Sequence, residues 1–196
     1  SAVIFDLPTT RPFAEQRVAG HGLSNRIDFV GGDLVADPIG SGFDVVWLSH
    51  LLHSEGPSTC AAIVAKAAEA LGEGGLLLVQ EFILDDSRTA PLHPALFSLN
   101  MLIGTPQGQA YAQGEPTAML HQAGFEEVLG HGGAHDAHAD EAELHWGRVL
   151  SGGSGGEGFG EGGEETFRVV GHLSIGASGP FHDGNGDGGG AMITDC

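Results

Sequence analysis

Two hydrophobic rhythms alternate along the first 129 residues. Short apolar runs at 2–5, 26–30, 43–48, 76–81 and 125–129 have the length and composition of buried strands. Between them, residues 9–19, 57–71 and 115–122 carry the pattern of surface helices, while 93–103 is apolar on most sides and reads as a buried helix or pocket wall. Punctuation agrees with this division. Pro57 suits the first position of a helix, and Gly124 suits the end of one. Asp6-Leu7-Pro8 and Gly31-Gly32-Asp33 are turns that follow strands. Strands separated by helices predict an α/β fold with a parallel sheet covered on both faces.

Residues 130–196 break the rhythm. They hold 20 of the 34 glycines and 6 of the 11 histidines, and Leu, Ile, Val and Phe make up 11 of their 67 positions. That fraction is below the roughly 20% at which chains fail to bury a core, so disorder is expected. The stretch 151–165 has a flexible-linker composition, and 167–175 reads as an isolated strand, marginal alone. The division is therefore 1–129, globular, and 130–196, a low-complexity Gly/His/acidic tail.

Charge narrows the function classes. With 26 acidic against 7 basic residues the net charge is −19, which argues against a nucleic-acid footprint and an anionic membrane surface. No apolar run approaches the roughly 20 residues of a membrane span. Cys60 and Cys196 make no disulfide framework, and a reducing cytoplasm is the expected location. The first residue is Ser, not Met, so a fragment or processed product is expected.

The chemistry-bearing residues cluster after strands. His50 and His53 follow the third strand and Glu81 ends the fourth, at the edge where open α/β sheets bind ligands. His53 is a candidate general base, since imidazole titrates near neutrality, and Glu81 would orient it. The alternatives are a structural hydrogen bond for His50 and an ordinary strand-end carboxylate for Glu81. Asp6, after the first strand, suits a ribose diol or a helix cap. Asp33, after two glycines, suits an amine or hydroxyl of a ligand, or a tight turn.

Phe5-Asp6-Leu7-Pro8, Gly31-Gly32-Asp33, the block from His53 to Glu81 and the stretch 97–108 (FSLNMLIGTPQG) together resemble small-molecule O-methyltransferases that use S-adenosylmethionine. These are the plant caffeate and flavonoid enzymes and their bacterial polyketide and carotenoid relatives, and the bacterial branch is nearer. The resemblance covers residues 1–129. It implies a Rossmann-like class I methyltransferase sheet and methyl transfer to a hydroxyl of a small aromatic or polyketide-like molecule. His53 would deprotonate the acceptor and Glu81 would steer it. Asp6 would hold the cofactor ribose, while Asp33 and Leu34 would border the adenine. Ser49, where relatives often carry Lys, joins the cofactor contacts. Asn100 and Met101 would line the acceptor pocket.

The chain departs from the family pattern at three places. Ser54-Glu55 replace the usual Asp-Trp, Ser49 replaces Lys, and Ala110 stands at a second acidic position. The resemblance also implies that a helical dimerisation domain, a first strand and its glycine-rich loop precede Ser1. The sheet is then expected to be incomplete, with homodimers formed by the full-length protein. After residue 128 the family's final hairpin is replaced by an unrelated composition, for which a shift of reading frame is one explanation. A catalytically inactive binding or assembly module is the alternative function, and a nicotinamide-dependent oxidoreductase is a further rival. No metal is expected. Gly132-Gly133 interrupt the His131, His135, His138 series, and the calcium-loop-like run from Asp183, Asn185 and Asp187 reaches Thr194 where Glu is needed.

Overall fold

The computed structural model describes residues 1–131, 143–148 and 169–172 of the 196, with side chains through residue 129. The chain opens with β1 (Ala2–Asp6), α1 (Arg11–Gly20), β2 (Ile27–Gly31) and β3 (Phe43–Ser49). Next come α2 (Pro57–Ala70), β4 (Leu71–Glu81), β5 (Ile83–Leu84), α3 (Leu92–Gly104) and β6 (Tyr111–Ala112). It continues through α4 (Gly114–Gln122), β7 (Glu127–His131), β8 (Glu143–Arg148) and β9 (Val169–His172). The helices and strands expected within 1–129 are all present, their ends displaced by a few residues. β4 starts earlier than its apolar run because Gly74, at φ +73°, and Gly75 let the chain bend and rejoin β3 after a register shift between Phe43 and Val45.

Among the described residues, seven strands form one continuous sheet in the order β2-β1-β9-β3-β4-β8-β7. The pairings from β2 to β4 are parallel, and those of β4 with β8 and β8 with β7 are antiparallel. Two expectations change here. The segment around 167–175 is no isolated strand: Val169–His172 is hydrogen-bonded to β1 on one side and β3 on the other, filling the middle of a sheet expected to be incomplete. The expected strand at 125–129 starts later, as β7, and forms a hairpin with β8 that the Gly/His composition concealed. Backbone pairing alone satisfies a strand ladder, so low hydrophobicity does not prevent it. His135, His138, Asp183, Asn185, Asp187, Thr194 and the 151–165 run lie outside the described residues.

The core lies between the sheet and the helices. Cys60, Ile63, Val64, Ala67 and Ala70 are buried at helical spacing on α2, whose inner face packs on β3, β4 and α4. Val46, Leu48, Leu77 and Val79 answer them from the sheet. Near β2 the backbone comes close: a Cβ on Gly32 would overlap the Phe5 ring. Of the two sequence readings of α3, a buried helix or a pocket wall, the buried helix does not hold. Only Pro94 is buried, while Leu92, Leu96, Leu99, Leu102 and Ile103 are exposed. Among the described residues no helix is long and apolar enough to cross a membrane.

Candidate active site

Parallel strands share one carboxyl edge, and the candidate residues gather there. Asp6 ends β1 with a buried carboxylate, 5% exposed, whose Oδ1 accepts the Leu7 N–H at 2.6 Å. The Gly32 N–H donates to the Asp6 carbonyl at 2.9 Å, tying the turn after β2 to the end of β1. Asp33 is exposed and its Oδ1 accepts from the Val35 N–H at 2.8 Å, which is the turn role weighed for it. Leu34 is buried. Its carbonyl, with those of Val35 and Asp37, accepts from the Lys66 ammonium at 2.7, 3.0 and 2.8 Å, so one cation of α2 fixes this loop. Ser49 is half-buried, and its hydroxyl donates to Gln80 Oε1 at 3.3 Å.

Beyond β3 the chain turns sharply. The His50 N–H extends the pairing with β4 by donating to the Gln80 carbonyl at 2.9 Å, and His50 then adopts φ +51°. A non-glycine residue there carries strain, which the turn must repay. The 3-10 turn Leu52–Ser54 follows and carries His53. Glu81 reaches it from the end of β4. Its Oε1 accepts the backbone N–H groups of Leu52 at 2.6 Å and His53 at 3.4 Å, and its Oε2 lies 2.8 Å from His53 Nδ1. One carboxylate, 2% exposed, thus fixes both the backbone and the imidazole of the turn. With Nδ1–H donating to Glu81, the lone pair of Nε2 is left to act as a base.

Aromatic rings wall this pair. The Phe97 ring meets His53 edge-on at 4.8 Å and lies 4.7 Å from Phe82. Phe82 also contacts His50 at 4.9 Å and His93 at 4.7 Å. Burial lowers the His50 pKa below its ordinary 6.5, against the raising influence of Glu81 and with a further lowering by His53. On α3, Asn100 is exposed and Met101 half-buried. Phe97, one turn earlier on the same helix, is the residue that meets His53.

A buried pair supports the turn from behind. The Tyr111 hydroxyl donates to the Glu55 carbonyl at 2.6 Å, and the Cys60 thiol donates to the Leu52 carbonyl at 3.2 Å. Cys60 Sγ and Tyr111 Oη are 3.3 Å apart. Burial pushes the Cys60 thiol up from 9.0 to about 11, with Glu81 and Glu55 adding and the Tyr111 hydroxyl opposing. Burial raises Tyr111 as well. Because the folded thiol ionises later than the unfolded one, its stabilising contribution is present below pH 9 and lost as the pH rises toward about 11. Denaturant midpoints should therefore fall across that interval, and Cys60→Ala should flatten the fall.

Gly108 closes the arrangement. The Gln109 N–H donates to the His53 carbonyl at 2.9 Å. A Cβ on Gly108 would stand 2.5 Å from that same carbonyl oxygen and overlap the Thr105 hydroxyl. Gly108→Ala should cost about 1–3 kcal/mol in equilibrium unfolding and displace His53. Phe82, Phe97, Cys60, Tyr111 and Gly108 escape the sequence reading as site residues. Phe82 follows Glu81 directly and Phe97 opens the quoted 97–108 stretch, but neither has a chemical group that marks it.

Comparison with known proteins comes to the same region. A family model described as an O-methyltransferase domain matches residues 1–126. The 3-hydroxy-5-methyl-1-naphthoate 3-O-methyltransferase of Streptomyces sahachiroi is 41% identical over 128 residues, covering 65% of this chain and 37% of its own length. An O-methyltransferase family 2 protein of Planctomyces limnophilus, solved in complex with apigenin, matches with a TM-score of 0.68 and 30% identity, over 76% of this chain and 42% of its own. Human N-acetylserotonin methyltransferase, solved in complex with SAM, matches with a TM-score of 0.64 and 28% identity, over 76% of this chain and 40% of its own. The chain therefore spans about two fifths of the length of these relatives.

Proposed function

The chain belongs to the O-methyltransferase domain family, and from that premise we propose that residues 1–129 are part of a catalytic domain that methylates a hydroxyl of a small aromatic or polyketide-like molecule. Residues 130–196 form the second part of the proposed division, a low-complexity stretch that lends β8 and β9 to the sheet. The observation that carries the reading is the His53–Glu81 pair, 2.8 Å apart, at the carboxyl edge of a parallel sheet and against the Phe97 ring.

His53 is the proposed base and Glu81 its orienting carboxylate. A phenol has a pKa near 10, so a positioned imidazole lowers the cost of making its oxygen nucleophilic. Phe82 and Phe97 would exclude water and pack on the acceptor ring, with Asn100 and Met101 further along α3 lining the same pocket.

S-adenosylmethionine is the proposed methyl source, supplying an electrophilic methyl on a sulfonium sulfur. The strand-end chemistry fits it. A buried carboxylate (Asp6) and an exposed one (Asp33) stand on adjacent turns, suited to hydroxyls and amines, with buried Leu34 beside them. Asp6 would hold the ribose, Asp33 and Leu34 would border the adenine, and Ser49 would complete the contacts from β3.

Calorimetric titration of S-adenosylmethionine, then of S-adenosylhomocysteine, into the folded chain tests this. Saturable binding that weakens in Asp6→Ala supports the reading. A folded chain that binds neither ligand would overturn it for these residues.

A further inference from the structure

The turn that carries the proposed base also holds His50, a third donor that the proposed methyl transfer leaves unused, beside the His53–Glu81 pair. One ligand atom each from His50, His53 and Glu81 lies within 4.8 Å of the other two. Among the described residues, the His50 ring makes ring contacts but no hydrogen bond. His53 Nδ1 is already held by Glu81 Oε2, which leaves Nε2 able to bind a cation. A carboxylate behind a histidine in this way fixes the tautomer and raises the basicity of the outer nitrogen, the usual support of an imidazole metal ligand. Glu81 also brings a buried negative charge to the spot.

We propose that His50 and His53 together bind a divalent transition-metal cation of the zinc class, with Glu81 supporting His53. Imidazole donors select this class over calcium or magnesium, which take oxygen ligands. Zinc bonds of about 2.0–2.1 Å to nitrogen set neighbouring ligand atoms roughly 3.3 Å apart. The His50 and His53 rings stand 6.3 Å apart between centroids, so His50 must swing toward His53 Nε2, a movement that breaks no hydrogen bond of its ring among the described residues. Once bound, the cation occupies the nitrogen that would accept the acceptor's proton, so the site shuts down transfer. That consequence rests on His53 being the base, whereas metal uptake does not.

The test is calorimetric titration of zinc chloride into the full chain, with no cofactor or acceptor, for the wild type, His50→Gln and His53→Gln. Histidines elsewhere, such as His135 and His138, are common to all three, so the difference isolates this site. Each variant should lose one binding event or weaken it by about tenfold or more, and magnesium should give no such difference. Should a glutamine variant unfold, zinc protection of His50 and His53 from diethylpyrocarbonate in the wild type reads the same site. Identical uptake in all three proteins, or no protection, overturns the proposal. Methyl transfer by the wild type should then be inhibited at lower zinc than transfer by His50→Gln. Uptake that needs both histidines yet leaves transfer untouched would keep the metal site and sink His53 as the base.

Discussion

His53→Ala should lower the rate of methyl transfer by about 10²–10⁴-fold, the usual worth of a positioned general base, while leaving affinity for S-adenosylmethionine unchanged. The separation is expected because His53 stands on the turn after β3, whereas Asp6 and Asp33 stand beyond β1 and β2. A sharper version uses Glu81→Gln. The amide has one acceptor oxygen, and the Leu52 N–H at 2.6 Å claims it. The amide nitrogen then faces His53 Nδ1 and donates to it, which forces the proton onto Nε2 and removes the lone pair that the proposed base would use. A loss close to that of His53→Ala is expected with the turn still in place, because the wrong tautomer disables a base as surely as deletion. Initial rates with both variants, beside cofactor titration, check this. Full activity in His53→Ala would refute the assignment.

Val170→Pro is the second large effect. Val170 is paired with Val3 of β1 and with Val46 of β3, so it sits in the sheet's interior. Proline has no N–H for the ladder and its ring crowds the adjoining strand, which confines it to sheet edges. A loss of about 3 kcal/mol or more is expected, with cofactor binding lost as the halves on either side of β9 separate. Val170→Ala keeps the N–H and should lose far less. Denaturant unfolding of the two variants tests whether the backbone pairing is what matters. Equal stability of Val170→Pro and wild type would show that β9 does not hold the sheet together.

The order of elements within 1–129 was legible because each strand and helix there is decided locally, by apolar runs, Pro57 and the closing glycines. The His53–Glu81 meeting was legible for a related reason: consecutive parallel strands joined by one helix end side by side. The place of β9 was not legible. Its partners lie more than 120 residues away along the chain, and nothing in Val169–His172 specifies which edge it joins. The hairpin of β7 and β8 was hidden because composition reports core-forming capacity, while ladder pairing uses groups every residue has. For α3 the sequence leaves two readings open, a buried helix or a pocket wall, and the exposed face rules out only the first. An all-round apolar helix signals burial, but the sequence does not say against what. Cys60 and Tyr111 were invisible as supports, since their role is to hold backbone carbonyls of a turn whose shape the sequence does not reveal.

The position of β9 also bears on how the molecule comes to be folded. It is synthesised after every other described strand, yet it is the piece on which both halves of the sheet depend. Until it arrives, β1 and β3 present unpaired edges toward each other, the kind of edge that recruits strands from other chains. Closing a loop of that length is slow, and contacts distant in sequence form late. Refolding yield should thus be limited by association of incomplete sheets rather than by the collapse of residues 1–129, and dilution should improve it.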